Sequence, residues 1–141
     1  ALAMQMGATL AINSMESDPV GVIMRETGGV GVDVLCEMSG NWRAIKQGFG
    51  ALRNGGRASL LGIPAKPGEM DLANDIVFKG ATVLGISGRL IWETWYQTQA
   101  LITSGMVDPT PVITHRFKLS EYEEAFRLMI AGEAAKVALF P

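Results

Sequence analysis

Apolar residues along this 141-residue chain fall into two arrangements, short continuous runs and stripes of helical spacing. The clearest runs are 32–38 (VDVLCEM), 57–63 (RASLLGI) and 82–86 (TVLGI); 8–13 (ATLAIN), 111–117 (PVITHRF) and 135–140 (AKVALF) are further strand candidates. Continuous apolar runs bounded by turn residues predict strands buried on both faces. Between them, Asp18-Pro19 reads as a helix cap followed by proline at the first helical position. Val20, Ile23 and Met24 give that helix its apolar face, and Gly28-Gly29 ends it. Trp42, Ile45, Phe49 and Leu52 form a second stripe, with Gly55-Gly56 as its expected stop. Asp71 is expected to cap a turn through Ile76 and Phe78. Ile91, Trp95 and Ile102 mark a helix over 90–104 that stops at Gly105. The last helix carries Tyr122, Ala125, Phe126, Met129 and Ile130 on one face, with Ser120 and Glu123 as its expected capping box and Gly132 as its stop. Residues 1–6 are helix formers without a start signal, and Gly7 stops them. The chain therefore reads as beginning inside a helix, as a fragment would.

Strands alternating with helices predict an α/β fold, a doubly wound parallel sheet with right-handed crossovers. Ligands bind such sheets at the carboxyl ends of the strands. Three strands end there in glycine-bearing turns: Ser39-Gly40, Gly62-Ile63-Pro64 and Ser87-Gly88. Each alone is a plain turn. Three at one edge bring a ligand crevice level with the turn reading, because glycine lets a flat ligand approach the backbone.

Composition narrows the function. Hydrophobic residues are 48% and charged residues 18%, which is globular, and the net charge of −2 comes without a basic stripe, which argues against nucleic acid. The one cysteine, Cys36, rules out an internal disulfide and a cysteine-cluster metal site. No apolar run is long enough to span a membrane and no signal peptide is expected. Neither G-x-G-x-x-G nor a phosphate-binding P-loop occurs. The glycines of GGVGVD (28–33) precede a strand and so read as a helix stop. His115, the only histidine, has no partner set and reads as structural or solvent-facing. Cys36 reads as a buried inert thiol, and Glu37 as a satisfied buried acid or a surface residue; Asp33 is similar. Glu121, Glu123 and Glu124 suit the start of a helix. Trp42, Trp92, Trp95 and Tyr96 read as packing residues. Arg89, at the end of the 82–86 run, could meet a phosphate or a carboxamide, with a surface arginine as the plainer reading.

Three stretches together, VDVLCEMSGNWRAIKQGFGALRNGGRASLLGIP, IVFKGATVLGISGRLIWETWYQ and PVITHRFKLSEYEEAFRLMIAGEAAKVALF, resemble the later part of the zinc-dependent medium-chain dehydrogenases. The strand–LGIP ending and the ITHRF return are general to that family. EMSG, and Gly88-Arg89 with Glu93-Thr94-Trp95-Tyr96, resemble its branch that oxidises L-threonine. The resemblance implies a partial Rossmann-like sheet over 1–107, followed by a strand–helix–strand return over 108–141 that belongs to the catalytic domain of the parent. It implies a cytoplasmic homo-oligomer that uses NAD and zinc to oxidise the L-threonine 3-hydroxyl. Carried over, Leu61, Gly62 and Ile63 offer backbone to the nicotinamide side of NAD, and Ile86 and Ser87 do likewise; a larger residue is more usual at position 87.

The family's glycine fingerprint, its ribose-binding acid, its zinc ligands and its relay histidine match nothing in this chain, so no catalytic or metal-binding residue is assigned here. The chain alone is expected to be inactive and to bind NAD without high affinity. The resemblance also puts 8–13 at a sheet edge, separated from 32–38 by two strands that this sequence lacks. Altered pairing, or burial of the open edge against another copy, is expected, and self-association is also expected at the 82–86 edge. The alternatives are another polyol or alcohol dehydrogenase, or a non-catalytic α/β binding module.

Overall fold

A computed structural model describes residues 2–141. The described residues pack as two units, 12–88 and 89–141 with 2–11.

Within 12–88, helix α2 (Pro19–Glu26) leads to β1 (Val32–Glu37), α3 (Trp42–Ala51), β2 (Leu52–Leu60), a π-turn at Ala73–Val77 and β3 (Thr82–Gly85). The strands form one parallel sheet in the order β1-β2-β3, in register from Val34 opposite Arg57 to Glu37 opposite Leu60, and from Arg57 opposite Thr82 to Leu60 opposite Gly85. Asp18 caps α2 as expected, its carboxylate accepting the Val20 and Gly21 amides at 3.1 Å each. Asn41, which the apolar pattern does not single out, caps α3 by accepting the Arg43 amide at 2.9 Å. Asp71 accepts the Asn74 amide at 3.1 Å, as its capping role requires.

The core forms where the stripe of α3 meets the sheet. Phe49, Ile45, Leu52 and Ala58 are buried, and Val32, Leu35, Leu60 and Ile76 pack against them. Continuous apolar strands gain this burial only on the face that α3 covers. Val34 and Cys36 point the other way and are exposed, so the expected buried thiol is corrected to an exposed one. β2 also begins earlier than 57. Its ladder starts at Leu52 opposite Val32, and Gly55-Gly56 form a bulge within the strand rather than a helix stop, the helix having already ended at Ala51.

In the other unit, α1 (Leu2–Gln5) is short, α4 spans Glu93–Thr103, and β4 (Ile113–Lys118) pairs in parallel with β5 (Lys136–Phe140) across α5 (Tyr122–Ala131). Helix α5 packs on both strands and buries Ala125 and Leu128. The expected capping box shifts in register: a 3-10 turn at Leu119–Glu121 comes first, and Glu121, not Glu123, reaches back to the Lys118 amide at 2.7 Å. Helix α4 starts three residues later than the pattern suggests, after Trp92 at φ 75°. Residues 8–13 join no ladder among the described residues. Their composition suits a strand, but a strand is specified by lateral partners for its amides and carbonyls, and none is supplied here.

Candidate functional site

The tips of β2 and β3 open into a cleft of about 500 Å³ lined by Leu60–Pro64 and Gly85–Gly88. All five residues expected to face a cofactor, Leu61, Gly62, Ile63, Ile86 and Ser87, line it together. The ladder runs on into the cleft walls, with the Ile86 amide donating to the Leu60 carbonyl at 2.9 Å. Ile63 is 89% exposed, and Leu61 and Ile86 are about half exposed at 43% and 45%. A Cβ at Gly85 or Gly88 would meet nothing within 4 Å. The cleft therefore offers apolar side chains and bare main chain, which suits one face of a flat ring.

Gly62 has a different reason to be glycine from the one its position suggests. Its missing Cβ does not face the cleft; it would fall on the Gly40 nitrogen and lie 2.5 Å from Glu37 Oε2. A Cβ at Gly40 would in turn lie 2.5 Å from the Ile63 carbonyl oxygen. The tips of β1 and β2 thus touch backbone to backbone, and Glu37 joins them. This side chain is buried, at 4% exposure. Its Oε1 accepts the Ser39 amide at 2.9 Å, the Ser39 hydroxyl at 2.5 Å and the Gly40 amide at 3.0 Å, and Oε2 accepts the Gly40 amide at 3.1 Å. Its main-chain carbonyl accepts the Leu61 and Gly62 amides at 2.9 and 3.2 Å. Burial alone raises the carboxyl's pKa, but the Ser39 hydroxyl and the Ser39 and Gly40 amides outweigh it, so the group titrates below its ordinary range. Of the two readings of Glu37, the satisfied buried acid is the one observed.

The remaining candidates have settings of their own. The Arg89 guanidinium sits over the Trp95 ring, 5.6 Å from its centroid. Trp92, Trp95 and Tyr96 are exposed, which corrects their reading as packing residues; with Arg89 and Ile102 they line a cavity of about 690 Å³ on α4. Trp42 does pack, and its indole N–H donates to the Lys66 carbonyl at 2.8 Å. His115 stacks on Phe117 and pairs with the Thr114 hydroxyl at 3.0 Å. Asp33 pairs with Arg53 at 2.6 Å, and Glu124 with Arg127 at 2.7 Å.

The chain belongs to the zinc-binding dehydrogenase family, whose profile matches residues 1–104. The relatives it matches are narrower still. An L-threonine 3-dehydrogenase of Bacillus velezensis is 50% identical over 141 residues, covering 100% of this chain and 41% of the relative. One from Thermococcus kodakarensis is 46% identical, covering 99% of this chain and 40% of the relative. Among solved structures, an alcohol dehydrogenase of Thermotoga maritima superposes with a TM-score of 0.84 at 32% identity, over 99% of this chain and 40% of its own. The chain thus spans about two fifths of the length of the relatives it matches. Among the described residues no three His, Cys, Asp or Glu side chains converge to hold a metal. No helix of the described residues is long and apolar enough to cross a membrane.

Proposed function

We propose that this chain is the later part of an NAD-dependent L-threonine 3-dehydrogenase, and that Leu61, Gly62, Ile63, Ile86 and Ser87 form the wall against which the nicotinamide ring lies. The observation that carries this is the convergence of these five residues, from two adjacent strand tips, on one cleft. The 50% identity to an L-threonine 3-dehydrogenase supports the substrate. NAD, held against Leu61, Gly62, Ile63, Ile86 and Ser87, would supply the two-electron oxidant for converting L-threonine to 2-amino-3-ketobutyrate, a hydride from C3 going to the nicotinamide and the hydroxyl proton to solvent. The chain's own contribution is to exclude water from one ring face with Leu61, Ile63 and Ile86, and to present main-chain groups at Gly62 and Ser87 to the carboxamide edge.

In this reading residues 1–107 belong to the cofactor domain and 108–141 return to the catalytic domain. The zinc takes its ligands from outside this chain. The enzyme is a cytoplasmic homo-oligomer; the edge position of β3 supports the association.

The test is turnover by the complete enzyme with NAD. Oxidation of L-threonine in preference to sorbitol and 2,3-butanediol is expected. Preference for a polyol would replace the substrate assignment with the other branch of the family, and failure to reduce NAD with any of them would overturn the reading.

A further inference from the structure

The cleft wall at 61–63 is held from behind. Leu61, Gly62 and Ile63 lie beyond the last residue of β2, where the β1–β2 ladder ends with the Leu61 amide on the Glu37 carbonyl. What fixes them is Glu37, through both ends of the residue. Its carbonyl takes the Leu61 and Gly62 amides. Its carboxylate gathers the Ser39-Gly40 turn into the space that Gly62 leaves and against the Ile63 main chain. The Glu37 carboxylate does not line the cleft. It accepts amide and hydroxyl donors only, and just two oxygens can serve them. A glutamine of the same size with its oxygen in the Oε1 position keeps an acceptor for the Ser39 amide, the Ser39 hydroxyl and the Gly40 amide, but it places an NH2 group where Oε2 accepts the Gly40 amide at 3.1 Å, donor against donor.

We infer that Glu37 is a positioning residue of the cofactor cleft, setting the 61–63 main chain at the distance the nicotinamide ring requires. This rests on the NAD reading above. It goes further in giving a buried side chain, without contact to any ligand, control over one half of the cofactor only.

The experiment compares two probes on the complete enzyme, NAD and ADP-ribose, which lacks the nicotinamide. In Glu37→Gln, kcat/KM for NAD should fall by about tenfold or more, because small displacements of a reacting group are penalised heavily. The inhibition constant of ADP-ribose should stay within about twofold of the parent's. Glu37→Asp, which keeps the carboxylate, should recover part of the loss. If both probes weaken equally, or neither changes in the folded enzyme, Glu37 does not position the nicotinamide side and the inference is overturned. Should Glu37→Gln not be recovered folded, Ser39→Ala decides, since it removes one donor and leaves the carboxylate. A loss of about threefold or more in kcat/KM for NAD at constant ADP-ribose affinity supports the inference; an unchanged kcat/KM overturns it. A parent enzyme that binds neither probe would instead count against the NAD reading itself.

Discussion

Glu37 takes the Gly40 amide through both oxygens of its carboxylate, at 3.0 and 3.1 Å. That contact brings a turn after one strand into the backbone of the next strand's tip. A buried acid with its donors supplied by main chain and one hydroxyl is inexpensive to keep charged, and here it holds the Ser39-Gly40 turn against the main chain of Gly62 and Ile63.

The first consequence is steric. A Cβ at Gly62 would overlap the Gly40 nitrogen, and both groups are main chain. Gly62→Ala should therefore destabilise the protein by about 1–3 kcal/mol, the range for forced overpacking. Gly85 lines the same cleft with open space where its Cβ would go. Gly85→Ala should leave stability within about 0.5 kcal/mol. Urea unfolding of the complete enzyme reads both, and equal losses would mean that the close approach of the tips is not what requires glycine at 62.

Acid stability follows from the same carboxylate. Its pKa in the folded protein is lowered, so the unfolded chain takes up this proton first as pH falls. The stabilisation is complete at neutral pH and is lost as pH drops through the ordinary carboxylate range toward the lowered value. Glu37→Gln should flatten this part of the acid unfolding curve. A mutant curve parallel to the parent's over that range would show that Glu37 contributes nothing to it.

Much of this arrangement is legible along the chain, and the parts that are not share a cause. Asp18-Pro19 and the stripe of α3 are local signals, and the structure bears them out. The three glycine-bearing strand ends are likewise visible, because turn chemistry is local. Residues 8–13 look like a strand and make none, since pairing is decided by neighbours. Cys36 sits in an apolar run yet is exposed, because only the neighbours of β1 could cover that face. Trp92, Trp95 and Tyr96 are bulky enough to predict burial, but nothing among the residues of their unit closes over them. Ser120 and Glu123 have the spacing of a capping box, and one extra 3-10 turn shifts the role to Glu121. Glu37 reads along the chain as a satisfied buried acid or a surface residue, but its task lies in a contact 25 residues away with Gly62.

Lys79 has a role that no local pattern in the sequence marks. Its ammonium donates to the Phe49 carbonyl at 2.5 Å and to the Leu52 carbonyl at 2.6 Å. It thereby satisfies carbonyls at the end of α3, where a cation is favoured by the helix dipole. Lys79→Met keeps the length of the side chain and removes the donors. Hydrogen bonds from charged groups are worth about 1.5–3 kcal/mol, and a loss of that order is expected in thermal or urea unfolding. Lys79→Arg should recover part of it. A methionine variant as stable as the parent would show that water replaces the ammonium without loss.

Ile63 separates folding from cofactor binding. At 89% exposure it supports almost none of the core, so Ile63→Ala should change stability by less than about 0.5 kcal/mol. It nevertheless lines the cleft. If the nicotinamide ring covers it, truncation removes apolar contact made only in the complex, worth about 1 kcal/mol at 25 cal/mol per Å². That corresponds to a rise of about fivefold in KM for NAD. KM for threonine, measured at saturating NAD, should change little. A KM for NAD that stays constant while Ile63 is removed would place the ring elsewhere, because no other consequence of so exposed a side chain could mask the loss.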